Sequence, residues 1–399
     1  MQLKPTGRVT DNWLNRSMSA RQYFSFTVLF FIAAFLLLPT SKLVNNFFYL
    51  LIAIPAIVYL LRHRQPFRTA THIDYLFLAF LAYCFIFGLV DDPDFAKYCV
   101  YLLLFVLVIS RLVEVGLFTH PRFARLLFWG LITYVLIAAS IYALQGNYEL
   151  GDRIVDLPSR LYGPIFTSIF IASSLVLLTP VWIRQQSYVE ASAGITLALL
   201  CVAVILQSRT GLVGIALWAA SISVWLAYKY KVAGVVLAIV TMTLALSVAG
   251  LLLVESDKLV NLYARADSGR FEIWQFFIAS WYDCGLLKGC GLSFEMAHPV
   301  NGQTILHPHS IFVTLGVYLG LLPLLLFIVL MAAVLRLAVR QQNWWGGYLA
   351  MALLLSNLDG SIVVNSPNEL WLLIWLPAGL ILNQYLTQKQ VIETGAKAG

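Results

Sequence analysis

The sequence predicts an all-α integral membrane protein, and three observations support this fold class. Hydrophobic residues make up 60% of the 399 positions. Charged residues contribute only 11%, whereas they make up about a quarter of a soluble domain. The mean hydropathy is +0.83, and long apolar segments recur along the whole chain. These features exclude an ordinary soluble domain.

Apolar segments divide the chain into about twelve predicted spans, since a membrane helix needs roughly 20 predominantly apolar residues. The spans are 24–38, 43–61, 73–90, 98–113, 126–144, 161–183, 192–206, 211–228, 232–254, 310–335, 344–357 and 368–386. The sequence supports the seventh and eleventh spans least, and only Pro39 and Lys42 divide the first from the second. We expect one polytopic domain over residues 1–399, without a cleavable signal or an internal repeat.

The distribution of charge predicts the orientation of these spans. With a cytoplasmic N-terminus and alternating spans, one face receives 17 of the 26 basic residues but only 5 of the 19 acidic residues. The positive-inside rule predicts this asymmetry, so both termini are expected in the cytoplasm. The net charge of +7 therefore follows from topology and does not indicate binding of nucleic acid.

Arginines on the opposite, outer face are candidates for binding an anionic substrate. The positive-inside rule disfavours them there, and a guanidinium fork fits diphosphate or carboxylate oxygens. They are Arg153, Arg160, Arg209, Arg265 and Arg270. Arg153 lies between Asp152 and Asp156 and is expected to pair with them. Arg209 has no carboxylate in its own turn, which favours a ligand or a distant partner.

The start of the eighth span, Ser208-Arg209-Thr210-Gly211, has two predicted local features. Gly211 and Gly214, three residues apart, would let this helix approach a neighbour closely. Thr210 is predicted to be the N-cap, which would leave free N–H groups beside Arg209. A helix N-terminus next to an arginine suits an anion.

A long outer loop at residues 255–309 holds the largest set of polar residues, and residues 269–284 within it are predicted to form an amphipathic helix. Its apolar stripe, spaced at three and four residues, is Phe271, Trp274, Phe277, Ile278 and Trp281, opposite Arg270, Glu272 and Gln275. Two placements remain open: the stripe lies in the membrane interface, or it packs on the bundle. Asp267 and Glu272 are candidates to orient an arginine.

Three histidines, His298, His307 and His309, also lie on the outer face. Pro308 prevents a regular helix before His309, which is expected near the first turn of the tenth span. A helix N-terminus disfavours an imidazolium, so a neutral His309 can accept a proton as a general base. The alternatives are a structural cap and a metal site, for which the spacing of His307 and His309 is a weak signature.

The remaining acidic and thiol side chains receive few assignments from sequence. Cys284 and Cys290 lie on the oxidising side, where they form a disulfide or remain two thiols. The loop at residues 357–368 faces the same side and is a candidate border of the acceptor site. Four carboxylates have no assigned role, namely Asp283, Glu295, Asp359 and Glu369.

The order of these motifs resembles the O-antigen ligase family of bacterial inner-membrane glycosyltransferases. The motifs are Arg160-Leu161-Tyr162-Gly163, Ser208-Arg209-Thr210-Gly211, Ser268-Gly269-Arg270 with Trp274, Gly289-Cys290-Gly291, and His309-Ser310 followed by Gly316 and Gly320. Each motif is short, but their order extends over most of the chain. The family usually has Asn where this chain has Ser310. The histidine motif also fits His307, although the distance to Gly316 favours His309.

The resemblance implies transfer of a glycan from undecaprenyl diphosphate to a sugar hydroxyl of lipid A–core, at the periplasmic face and with inversion of the anomeric carbon. It implies the following roles: Arg160, Arg209, Arg265 and Arg270 hold the diphosphate, His309 is the general base, and His307, Trp274, Asp267 and Glu272 support them. No metal or other cofactor is expected. The expected partners are the lipid-linked O-antigen donor, the lipid A–core acceptor and membrane lipids, without nucleic acid.

Two other functions remain open. An O-antigen polymerase would use the same donor with a second lipid-linked glycan as acceptor, and the single long outer loop favours the ligase over it. A transporter for an anionic or amphipathic solute would place ionisable residues at mid-membrane and show repeated halves. The predicted spans hold almost no charge, which disfavours a transporter.

Overall fold

The computed structural model describes residues 19–63, 70–149, 152–230, 270–294, 298–300, 303–305 and 307–398. Over these residues the chain is helical apart from one short hairpin, which the sequence analysis did not predict. In that hairpin β1 (His298–Val300) pairs antiparallel with β2 (Gln303–Ile305). The predicted span at 232–254, together with Arg265 and Asp267, lies outside the described residues.

The helices begin where local capping chemistry is favourable. Ser19 and Thr71 cap their helices through hydroxyl groups. Pro121 and Pro164 occupy first turns, where a backbone N–H would have no acceptor within the helix, so proline costs no hydrogen bond there. A π-helical turn at Trp371–Trp375 leads into the last helix. The helices are α1 (Ala20–Leu37), α2 (Ser41–Arg62), α3 (His72–Asp91), α4 (Pro93–Leu112), α5 (Val115–Thr119), α6 (Pro121–Leu144), α7 (Pro164–Gln185), α8 (Tyr188–Ile205), α9 (Arg209–Tyr230), α10 (Arg270–Cys284), α11 (Ile311–Leu319), α12 (Leu321–Gln341), α13 (Trp345–Ser356) and α14 (Leu376–Ala398).

Eight of the described helices are long and apolar enough to cross a membrane, namely α1 to α4, α6 to α8 and α12. The chain is therefore a helical integral membrane protein. The predicted separation of the first two spans is confirmed, because α1 ends at Leu37 and α2 begins at Ser41. The total of twelve spans and the periplasmic position of the long loop stay predictions.

The predicted tenth span, residues 310–335, is two helices and not one. Gly320 separates α11 from α12 with a φ of +90°, a conformation that glycine adopts without steric penalty. A Cβ on Gly320 would lie 2.1 Å from the carbonyl oxygen of Leu287. The turn that follows α10 therefore packs directly against this break, and no side chain fits between the two backbones.

The start of α9 is packed tightly between α7 and α13. A Cβ on Gly211 would lie 2.4 Å from Cβ of Ser168 in α7, and a Cβ on Gly214 would lie 2.6 Å from Leu355 in α13. The close approach predicted from these glycines is confirmed. The hydroxyl oxygens of Ser168 and Ser208 are hydrogen-bonded at 2.6 Å. We call the end of the bundle formed by the start of α9 and the end of α13 the site end.

Gly211→Ala is expected to destabilise the protein by about 1–3 kcal/mol, because the added methyl group overlaps Ser168 and Val202. Gly130→Ala in α6 is the matched control, since a Cβ there meets no atom within 4 Å. The control should keep or raise the unfolding temperature, because alanine favours helix over glycine. Thermal unfolding in detergent measures both variants, and equal unfolding temperatures would contradict the packing argument.

Candidate functional site

Asp359 lies at the centre of a cluster of polar side chains at the site end. The residue is only 8% exposed. Its Oδ1 lies 2.8 Å from Nδ1 of His309, and its Oδ2 accepts a hydrogen bond from Nη2 of Arg270 at 3.4 Å. The same Nη2 donates to Oγ1 of Thr210 at 3.4 Å. One carboxylate thus joins the loop after α13 to the start of α10 and to the residues before α11.

His309 is fixed by the cap of the helix that follows it. Oγ of Ser310 accepts from the backbone N–H of Val313 at 3.3 Å and donates to Oδ1 of Asn357 at 2.5 Å. Ser310 is therefore the N-cap of α11, and His309 lies one residue before this cap, which confirms its predicted position near the first turn. His309 has a φ of +54°, which costs a non-glycine residue on the order of 1–3 kcal/mol.

Two neighbouring side chains support this backbone conformation. Nδ1 of His307 accepts from the backbone N–H of His309 at 3.3 Å, and the two ring centroids are 4.2 Å apart. Burial, with a smaller effect from His309, lowers the pKa of His307 to about 4, so the ring is neutral at pH 7 and keeps an acceptor nitrogen. Trp274 donates from Nε1 to the carbonyl oxygen of Pro308 at 2.9 Å.

The contact with Asp359 determines which nitrogen of His309 can act as a base. An ionised carboxylate only accepts hydrogen bonds, so in the neutral imidazole Nδ1 carries the proton and the lone pair lies on Nε2. The side chain of His309 is 34% exposed, against 11% for Asp359. The pair is thus a partly accessible imidazole oriented by a buried carboxylate, an arrangement suited to proton abstraction.

The cap of α9 differs from the prediction. Oγ of Ser208 accepts from the N–H of Gly211 at 3.3 Å, so Ser208 and not Thr210 caps the helix. The reason is that α9 already begins at Arg209, which leaves Thr210 inside the first turn with its hydroxyl turned to Arg270. Arg209 is half-buried and lies one residue from the cluster.

Arg160 takes part in a second buried ion pair, with Glu369. Their side chains are 10% and 9% exposed, and the rings of Phe35 and Tyr162 each lie 5.9 Å from the guanidinium carbon. Among the residues that the structure describes, Nε of Arg160 has no hydrogen-bond acceptor. Arg160 is therefore a buried cation with one donor still to be satisfied.

One side of α10 packs on the bundle. Ile273 and Phe277 are buried with Val317 of α11, and the ring of Trp281 covers Gly316, where a Cβ would lie 2.5 Å from it. Packing on the bundle is thus confirmed for part of the predicted stripe, with Ile273 as an addition.

The other side of α10 is exposed. Phe271 and Ile278 of the predicted stripe lie there, together with Glu272. Contact of this face with the membrane interface stays a prediction. Its two exposed apolar side chains, Phe271 and Ile278, suit such a contact.

The turn that follows α10 is anchored at two points. A disulfide joins Cys284 to Cys290, whose Cα atoms are 5.0 Å apart, which was one of the two states left open by the sequence. Asp91 at the end of α3 accepts from the backbone N–H of Leu292 and from Oγ of Ser293, the latter at 3.1 Å. The chain between α10 and β1 is thereby tied to a different part of the bundle.

Sequence analysis missed the two carboxylates that organise these arginines, Asp359 and Glu369. The available signal was position, because Asp359 lies between two apolar helices and Glu369 at the start of the last predicted span, where a carboxylate needs a partner. Arg265 and Asp267 are outside the described residues, and Arg153 is exposed. Over the described ranges, no group of three or more His, Cys, Asp and Glu side chains is arranged to hold a metal ion.

Fold and site together define a helical membrane protein with a His–Asp–Arg cluster, centred on a buried carboxylate, at one end of its bundle. No protein-family model matches the chain. Over 366 residues, the chain is 25% identical to a protein of Pseudomonas aeruginosa named O-antigen ligase, with 86% of each chain covered. This similarity confirms the resemblance to the O-antigen ligase family that the motifs indicate.

Acidification between pH 6.5 and pH 4 is expected to destabilise the protein through His307. The unfolded chain takes up a proton near pH 6.5, whereas the folded chain does so only near pH 4, so stability falls as the pH decreases through this interval. In His307→Asn the side chain keeps an acceptor but does not titrate. Its unfolding temperature should fall less over this interval, and identical pH slopes for wild type and variant would contradict the assignment.

Proposed function

We propose that this chain is an O-antigen ligase, an inverting and metal-independent glycosyltransferase. It moves a glycan from undecaprenyl diphosphate to a sugar hydroxyl of lipid A–core at the periplasmic face of the bacterial inner membrane. The observation that carries the proposal is the contact of Asp359 with both His309 and Arg270. The similarity to a protein named O-antigen ligase supports the reaction, and the charge asymmetry of the sequence supports the orientation.

His309 is the general base in this proposal. Its Nε2 accepts the proton of the acceptor hydroxyl while the oxygen attacks the anomeric carbon, a contribution of about 10²–10⁴-fold to the rate. Asp359 holds the ring in the required tautomer and stabilises the imidazolium that forms. His307 is neutral at pH 7, because its pKa is about 4. It therefore adds no like charge beside the imidazolium of His309.

Arg270, together with Arg209, Arg160 and Arg265, binds the diphosphate. The bond between the anomeric carbon and the diphosphate oxygen breaks as the new glycosidic bond forms, and the leaving group takes the electron pair. Preorganised cations stabilise the charge that develops on it. Both described hydrogen bonds of Arg270 are made by Nη2, and a guanidinium has further N–H donors that can bind a diphosphate while the contact with Asp359 is kept. A single displacement inverts the anomeric centre.

The donor is already activated as a diphosphate ester, so the proposed reaction requires neither nucleotide nor metal. Trp274 and His307 act indirectly, because they hold the backbone of residues 308 and 309. Asp267 and Glu272 remain proposed as residues that orient an arginine.

His309→Ala and Asp359→Asn are each expected to slow glycan transfer by about 10²–10⁴-fold, because the base is lost or its tautomer is no longer fixed. The assay is a reconstitution with lipid-linked O-antigen and purified lipid A–core, read as glycan ladders on lipid A–core. Asp283→Asn, at an exposed carboxylate in the last turn of α10, is the matched control and should retain activity.

Three outcomes of this assay are informative. Ladders on lipid A–core that disappear in both variants support the ligase. Glycan that instead lengthens on the lipid carrier would identify a polymerase and leave the assignment of the arginines in place. Full transfer by a folded His309→Ala variant would rule out the general base.

Arg270→Lys is expected to lower kcat/KM for the lipid-linked donor by at least about 10-fold, since lysine keeps the charge but loses the planar fork of donors. Arg153→Lys, at an exposed arginine on the same predicted face, is the control and should change little. Initial rates measured over a range of donor concentrations distinguish the two. An equal loss of kcat/KM in Arg270→Lys and Arg153→Lys would contradict a specific role for the planar guanidinium of Arg270.

A further inference from the structure

A cavity of about 540 Å³ extends from the middle of the bundle to the end opposite the site end. It opens between the second half of α7, the second half of α9 and one face of α13, from Trp344 to Leu354. The cluster with Asp359 lies at the start of α9 and beyond the end of α13. Because α9 rises about 1.5 Å per residue, Lys229 at the far end of the cavity lies about 30 Å along the helix from Arg209, whereas Leu217 at the near end lies about 12 Å from it.

The walls of this cavity are largely apolar and aromatic. Trp218, Trp225 and Trp344 line it. The indole N–H of Trp218 already donates to Oγ1 of Thr179 at 2.8 Å, so this ring contributes mainly carbon surface. Gly347 forms part of the floor, where a Cβ would lie 2.7 Å from Val176. A cavity of this size and composition suits hydrocarbon.

Two cations, Arg184 and Lys229, lie among the lining residues. Each stands in the last turn of its helix, α7 and α9 respectively, and both residues are exposed. Nζ of Lys229 lies 4.9 Å from the centre of the Trp225 ring, which holds the ammonium at the aromatic wall. No acidic residue is present among the described residues that line the cavity.

We propose that this cavity binds one anionic phospholipid. Its phosphate lies between Arg184 and Lys229, and an acyl chain lies along the tryptophan wall. The charge of the lining favours an anion, and a zwitterionic headgroup would gain less from two cations. Basic pockets between membrane helices on the cytoplasmic side bind anionic headgroups in this way, and the charge asymmetry predicts that this end is cytoplasmic.

This lipid site is distinct from the proposed donor site in both position and function. The diphosphate is proposed to bind at the site end, near Arg270, whereas Arg184 and Lys229 lie at the other end of α7 and α9. A lipid held here would join α7, α9 and α13, the three helices that also pack around Gly211 and Gly214. Its expected role is therefore to stabilise the packing on which the cluster depends.

The test is a titration of the purified full-length protein in neutral detergent with phosphatidylglycerol or phosphatidylethanolamine, read by native mass spectrometry and by thermal unfolding. We expect one tightly bound phosphatidylglycerol and a raised unfolding temperature. Arg184→Gln with Lys229→Gln should weaken this binding about 25-fold, since each cation contributes about 5-fold. Arg336→Gln with Arg340→Gln, two exposed cations at the end of α12, is the charge-matched control and should bind as wild type.

A second variant separates cavity filling from charge. Ala350→Trp, at a residue that lines the cavity, occupies its volume without changing charge and should also abolish tight binding. Inorganic phosphate or glycerol phosphate should not raise the unfolding temperature, because neither has an acyl chain. Equal binding of both phospholipids, equal loss in the control variant, or full competition by inorganic phosphate would overturn the proposal. If the double variant does not fold, the loss or retention of tight phosphatidylglycerol binding in Ala350→Trp tests the proposal.

Discussion

A buried carboxylate with two partners is the constraint on which the candidate site depends. An isolated ionised carboxylate at the depth of Asp359 costs several kcal/mol of desolvation. Contacts with His309 and Arg270 offset that cost only when the chain segments that carry them are held together. The placement of the helices therefore determines the chemistry of the site, because a shift of α10 or α11 would leave the buried charge of Asp359 without compensation.

Close packing at glycine positions places those segments. Gly211 brings the start of α9 against α7, and Gly316 admits the ring of Trp281 from α10. Gly320 lets the turn after α10 lie against the break between α11 and α12. His309 has a left-handed backbone between Pro308 and the Ser310 cap, and hydrogen bonds from Trp274 and to His307 hold this conformation. Such strain is typical of functional sites that a rigid scaffold supports.

The cations at the two ends of the bundle have different surroundings. At the site end, Arg270 and Arg160 each contact a buried carboxylate, which positions the guanidinium groups before any ligand arrives. At the opposite end, Arg184 and Lys229 are exposed and border an apolar cavity. Preorganised, carboxylate-held cations suit a charge that develops during a reaction, whereas exposed cations beside hydrocarbon walls suit a headgroup at a membrane surface.

The sequence by itself determined the helical membrane class, most helix limits among the described residues and the close approach at Gly211. These are local properties, encoded by the lengths of apolar runs and by the positions of proline, serine and glycine. Only the tertiary structure decided that Asp359 contacts His309 and that Glu369 pairs with Arg160. These partners are separated by 50 and 209 residues, and no periodic pattern encodes a contact at such distances. The break at Gly320 is equally non-local, because the carbonyl of Leu287 leaves no room for a Cβ there.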